Sequence, residues 1–138
     1  MARRSRGAIA ESGNPGPAGA GCVVRLPDGR LLEASRALGM ATNNVGELTA
    51  IAMALDLLDT HGHPKDVPAH VLTDSQYARG VLVEGWKAKA NQELVASTRT
   101  RLRQRKAVLH WIAGHVGIPE NERADVLANQ GVAQSQRR

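Results

Sequence analysis

Three carboxylates stand where the local sequence pattern changes, and together they could serve one chemistry: Glu47, Asp74 and Asp125. Hydrolysis of a phosphodiester by two divalent ions needs several acidic side chains converging on metals about 4 Å apart, one ion activating water and the other stabilising the leaving oxygen. Such hard cations take oxygen ligands. Each carboxylate alone says little, because a helical glutamate is ordinarily a solvated surface residue. Their weight depends on whether the surrounding elements deliver them to one place.

The elements can be outlined from pattern. Gly13 to Gly21 is rich in Gly and Pro and reads as a turn feeding a strand from about Ala20 to Leu26. Pro27-Asp28-Gly29 is a tight-turn signal, Arg30 to Leu38 returns as an antiparallel partner, and a third strand is expected through Ser35 to Gly39. From Asn44 the period changes: Leu48, Ile51, Ala52, Leu55 and Leu58 recur at helical spacing, with Thr42, Asn43 or Asn44 available as cap. Glu47 thus falls in the first turn or two.

Ala69 to Thr73 reads as a buried strand with Asp74 at its carboxyl end, followed by a short helix to about Leu82. A longer helix from about Asn91 to Gln104, a strand from Ala107 to Ala113 and a last helix from about Pro119 to Ala133 complete the chain, leaving 134–138 as a disordered tail. A hairpin followed by alternating helix and strand predicts a mixed sheet with helices on its faces.

Composition sets the outer limits. At 138 residues and 42% hydrophobic, the chain suits one domain spanning 1–138. With no Phe, two Trp and one Tyr, its core must be built from aliphatic side chains. A net charge of +5 and a pI near 10.1 favour a polyanionic partner. Part of that excess sits at the termini, in Arg3, Arg4, Arg6, Arg137 and Arg138, so residues 1–10 read either as an atypical first strand or as a basic tail. The single Cys22 excludes an intrachain disulfide and suits a reducing cytoplasm. No apolar run reaches the ~20 residues of a membrane span, and the basic start leads into no signal-like segment, so no membrane partner is expected.

Four segments in series resemble the type 1 ribonuclease H family. They are Gly13-Asn14-Pro15-Gly16-Pro17-Ala18-Gly19, Thr42-Asn43-Asn44-Val45-Gly46-Glu47-Leu48, Thr73-Asp74-Ser75-Gln76-Tyr77 and the stretch from His115 through Pro119-Glu120-Asn121-Glu122-Arg123-Ala124 to Asp125. The resemblance covers nearly the whole chain. It implies an α/β fold with a ribonuclease H-like mixed five-stranded sheet, three antiparallel strands then parallel ones, flanked by helices. The implied activity is metal-dependent endonucleolytic hydrolysis of the RNA strand of RNA–DNA hybrids, leaving 5′-phosphate ends, by a monomer.

The same resemblance makes Glu47, Asp74 and Asp125 ligands of Mg²⁺, with Mn²⁺ as substitute, and gives His115 a part in proton transfer or product departure. Chemistry agrees, since a histidine between Gly114 and Gly117 titrates near neutral pH and can swing. Asn14, Asn43, Asn44 and Gln76 carry amides suited to 2′-hydroxyls and minor-groove edges. Trp86 and Lys87, within Gly85 to Asn91, resemble the family's DNA-strand site, where an aromatic packs on a sugar and cations meet phosphates. Arg79 and Lys89 would add affinity, and Arg99, Arg101, Arg103 and Arg105 would serve as secondary contacts.

The family places its first catalytic aspartate six residues before the Asn of the Asn-Pro-Gly loop, and Ala8 occupies that position here. Glu11, three residues on, could reach the site because three extended residues span about 10 Å, yet an odd offset in a strand points to the opposite face. Loss of that carboxylate predicts lowered metal affinity and reduced activity. The alternative is a non-catalytic module of the same fold that binds hybrids or double-stranded RNA.

Overall fold

The structure is a computed structural model that describes residues 2–7, 16–26, 29–64, 67–73, 75–111 and 119–136; over 2–7 and at 119–122, 124 and 125 the description is of backbone alone. The element order is β1 (Ala2–Gly7), β2 (Gly16–Arg25), β3 (Leu31–Ala41), α1 (Asn43–Thr60), β4 (Ala69–Thr73), α2 (Gln76–Leu82), α3 (Gln92–Gln104), β5 (Ala107–Trp111) and α4 (Pro119–Gln136). The strands form one five-stranded sheet in the order β3-β2-β1-β4-β5. β1 and β3 run antiparallel to β2, whereas β4 is parallel to both β1 and β5. This is the mixed sheet expected from the order of elements and from the family resemblance.

Residues 2–7 are therefore the central strand and not a tail, although Arg3, Arg4 and Arg6 lie within it. Backbone pairing on both sides decides the matter: Arg3 and Arg4 stand opposite Val24 and Val23 of β2, and opposite Val71 and Leu72 of β4. The strand reading of Gly13 to Gly21 also needs correction. β2 begins at Gly16 and not at Ala20, pairing Gly16 with Ala41 and Pro17 with Met40, with a register shift at Ala18/Gly19. Proline and glycine are tolerated here because they fall at the strand's start and beside a bulge.

Tertiary packing explains the small residues. A Cβ on Gly19 would come within 2.5 Å of the Val132 backbone nitrogen, and one on Gly131 within 2.9 Å of the Gly19 Cα. Helix α4 thus lies almost backbone to backbone on β2, a closeness that only glycine at both positions permits. Ser135 secures the helix end, its hydroxyl donating to the Ala18 carbonyl at 2.7 Å and accepting from the Gly39 N–H at 2.8 Å. The expectation of a tail from Gln134 is overturned over 134–136: α4 continues to Gln136 because Ser135 is buried against the sheet.

The main core lies on the other side of the sheet, where Leu48, Ile51, Leu55 and Leu58 of α1 meet Cys22, Val24, Val71 and Leu109, with Val81 and Val95 from α2 and α3. Full burial of such a side chain contributes about 1.5–3 kcal/mol, and the buried α1 set makes that helix the structural spine. α3 is fastened to it by charge. Arg101 pairs with Asp56 at 2.7 Å and Asp59 at 3.3 Å, and Arg105 pairs with Asp59 at 3.2 Å.

Candidate active site

Strand directions bring several chain segments to one end of the sheet. Gly7 closes β1, Gly16 opens β2, Ala41 closes β3, Thr73 closes β4 and Trp111 closes β5, all toward the same end of the sheet, with the paired β2 and β3 reaching beyond the other three. In mixed α/β sheets the carboxyl ends of parallel strands form the ordinary place for a site. Asp74 follows Thr73 directly, and α1 starts within two residues of Ala41.

The start of α1 is built by a cap. The Thr42 hydroxyl accepts a hydrogen bond from the Val45 N–H at 3.3 Å, fixing where Asn43, Asn44 and Glu47 fall. Glu47 is half-buried, and one of its carboxylate oxygens is closed off from solvent. At α2 the Ser75 hydroxyl accepts from the Ala78 N–H at 3.0 Å, while the Ser75 N–H donates to the Thr73 hydroxyl at 3.1 Å. These two bonds bracket position 74 and set Gln76 as the first helical residue.

Asp74, His115, Asn14, Ala8 and Glu11 lie outside the described residues, as does the side chain of Asp125. The backbone at Asp125 belongs to α4. Among the described residues no three metal-ligating side chains come together. Glu47 is the member of the expected ligand set whose side chain is described; a carboxylate oxygen shielded from bulk water suits a hard divalent cation.

The helix carrying Asp125 is pinned at its start. Arg123 donates to both carboxylate oxygens of Glu33 on β3, at 2.7 and 2.9 Å, in a forked arrangement. That hydrogen bonding holds the Glu33 carboxyl below its ordinary value of 4.5 and raises Arg123 above its own.

Beside the start of α1 opens a groove of about 820 Å³, lined by Leu38, Met40, Asn44, Tyr77, Trp86, Lys87, Lys89 and Asn91 among others. It joins Asn44 with the adjacent pair Trp86 and Lys87, which are distant from it in sequence. Asn43 is half-buried in the first turn of α1. A second cleft of about 240 Å³ is formed by Gln76, Arg79, Glu84, Trp86 and Trp111, so Trp86 is shared by the two hollows.

Trp86 is held in that ridge by local geometry. Gly85 turns with φ +79, the Trp86 N–H donates to the Gly80 carbonyl at 3.0 Å, and a Cβ on Gly80 would fall 2.6 Å from the indole Cζ3. The indole therefore packs on α2 at Gly80 yet remains 49% exposed, an anchored and accessible ring.

The basic residues divide differently from expectation. Arg105 is only 4% exposed, Arg101 is engaged by two aspartates, and the Arg99 Nε donates to the Val81 carbonyl at 2.7 Å. These three hold α3 to its neighbours; of the four, Arg103 is exposed. Arg79 pairs with Glu84 at 3.2 Å. Sequence reasoning gave no role to Met40 and named Tyr77 and Asn91 only as the ends of motif segments, yet all three are on the groove wall. The one usable signal was Asn91 ahead of a helical pattern, since it adopts φ 60, a conformation asparagine tolerates.

A mixed sheet with a groove that carries amides, an exposed indole and lysines beside the helix start bearing Glu47 suits a nucleic-acid-processing α/β protein. The RNase H family model matches residues 9–133. The Ribonuclease H of Thiobacillus denitrificans is 40% identical over 136 residues, covering 89% of this chain and 88% of that protein, and that of Agrobacterium fabrum is 38% identical over 140 residues, with 92% of each covered. Among solved structures, the N-terminal RNase H domain of a Mycobacterium tuberculosis protein aligns with a TM-score of 0.79 and 29% identity over 99% of this chain and 97% of that one. LC11-RNase H1 in complex with an RNA/DNA hybrid aligns with a TM-score of 0.81 and 29% identity, covering 98% of both chains. The chain belongs to the RNase H family of ribonucleases.

Proposed function

We propose that this chain is a divalent-metal-dependent endonuclease that hydrolyses the RNA strand of RNA–DNA hybrids, working as a monomer in the cytoplasm at a rate lowered by Ala8. The observation that carries the reading is the groove that places Asn44, Trp86 and Lys87 together beside the helix start bearing Glu47. Asn43, Asn44 and Gln76, with Asn14, would meet 2′-hydroxyls and base edges across the minor groove. The anchored Trp86 ring would pack on a sugar of the DNA strand, with Lys87 and Lys89 at its phosphates.

Glu47, Asp74 and Asp125 would hold Mg²⁺ or Mn²⁺, which supplies an activated water and a stabilised leaving oxygen. His115 would carry a proton between the site and solvent or assist product departure. With alanine at the first aspartate position, one unit of negative charge is lost from the ligand set, so weaker metal binding and a preference for Mn²⁺ follow. Glu11 is the candidate to replace it.

The test is cleavage of a labelled hybrid in Mg²⁺, Mn²⁺ or EDTA by the unaltered protein and by Asp74→Asn and Glu11→Gln. Metal-dependent cutting that falls by about 10²-fold or more in Asp74→Asn supports the endonuclease, and a parallel fall in Glu11→Gln assigns that residue to the site. Ala8 gives the rival reading its one specific support. Hybrid binding without cleavage in any metal would replace the enzyme with a binding module.

A further inference from the structure

His70 and His110 form a cluster outside the groove. They stand on neighbouring strands, where Leu72 is the register partner of His110 and His70 that of Val108, so both imidazoles project from one side of the sheet. That side is opposite the one on which Val71 and Leu109 enter the main core. His70 Nδ1 lies 2.9 Å from His110 Nε2, and the ring centroids are 5.1 Å apart at 30°. His110 is exposed and His70 half-buried.

We propose that His70 and His110 constitute a chelating site for a divalent transition ion of tetragonal preference, copper or nickel, distinct from the carboxylate set at the strand ends. Imidazole suits those ions, whose preferred ligand angles are near 90°. With metal–nitrogen bonds of about 2.0–2.1 Å, two cis imidazoles place their nitrogens about 2.9 Å apart, so the two hydrogen-bonded rings stand within chelating reach of each other.

In the structure the two nitrogens face each other across a hydrogen bond. Binding requires each ring to turn about its broad terminal torsion until both lone pairs meet at one outer point, with the ring proton of the donor carried on its other nitrogen. Strand pairing holds the two backbone positions side by side, so the adjustment falls on the side-chain torsions. Waters complete the coordination shell. Since β4 and β5 are joined here, an occupied site cross-links the strands that end at Thr73 and Trp111.

The probe is Cu²⁺ at one equivalent, added to the full chain and to His70→Ala, His110→Ala and Asp74→Asn. Expected results are a Cu²⁺ paramagnetic resonance spectrum with nitrogen couplings from two imidazoles, a raised Tm, an affinity lowered at least about tenfold in either histidine variant, and an unchanged signal in Asp74→Asn. Histidine-selective nitrogen spectra of the unaltered protein supply a readout that needs no variant: broadening must fall on His70 and His110 first. Broadening centred on His61, His63 or His115, loss of the signal in Asp74→Asn, or equal Cu²⁺ affinity in His110→Ala overturns the site.

Discussion

At the scale of single residues, Trp86 separates what a tryptophan contributes to stability from what it presents to a ligand. One part of the ring lies on Gly80 and the remainder is exposed between two hollows. Stacking on an aromatic platform contributes about 1–3 kcal/mol by alanine substitution, which corresponds to about 5- to 150-fold in affinity. Trp86→Ala is accordingly expected to weaken hybrid binding within that range in EDTA, measured by fluorescence anisotropy, while Trp86→Phe recovers most of it. Equal affinity in Trp86→Ala would remove the ring from the substrate contacts. The Trp86-Lys87 pair was legible from its resemblance to a motif; its union with Asn44 was not, because 42 positions of chain separate Asn44 and Trp86 and only the fold closes that gap.

At the scale of elements, the placement of α4 relative to β3 depends on the Glu33–Arg123 fork as well as on the Gly19–Gly131 contact. The Glu33 carboxyl titrates below 4.5 in the folded protein because Arg123 donates to it, so the fork's contribution to stability is complete above about pH 4.5 and is lost as pH falls through the lower folded value. Thermal unfolding of Glu33→Gln beside the unaltered protein should show a gap in Tm that is constant from neutral pH down to about 4.5 and closes below it. A gap that persists in acid would mean that the variant acts through packing and not through charge. Since Arg123 is two residues from Asp125, loosening the fork should also lower cleavage more than it lowers hybrid binding.

At the scale of the whole molecule, the net charge of +5 overstates the cationic surface available to a substrate. Arg99, Arg101 and Arg105 are bound into the α3 contacts, Arg123 into the fork and Arg79 with Glu84, which leaves Lys87 and Lys89 as the lysines on the groove wall. Affinity for a hybrid falls with salt by about 0.9 in the log–log slope for each phosphate neutralised. Lys87→Ala is therefore expected to reduce the slope by about that amount, and Arg101→Ala to leave the slope unchanged while lowering Tm. The reverse pattern would return α3 to the substrate surface.

Local pattern determined much of this protein by itself. Ala69–Thr73 as a strand, a helix start capped by one of Thr42, Asn43 and Asn44, and the short helix after Asp74 were readable because side-chain periodicity and caps are recorded in neighbouring residues. The motifs likewise marked Glu47, Asp74 and Asp125 as one set before any geometry. What only the tertiary structure decided involves partners distant in the chain. An arginine-bearing segment became the central strand through pairing on both flanks, a glycine-rich stretch became a strand because α4 needs its bare backbone, and three helix arginines turned inward to aspartates and carbonyls. Composition fixes how many such residues exist, but whether each meets solvent, sheet or counter-charge depends on which surface the folded chain lays against it.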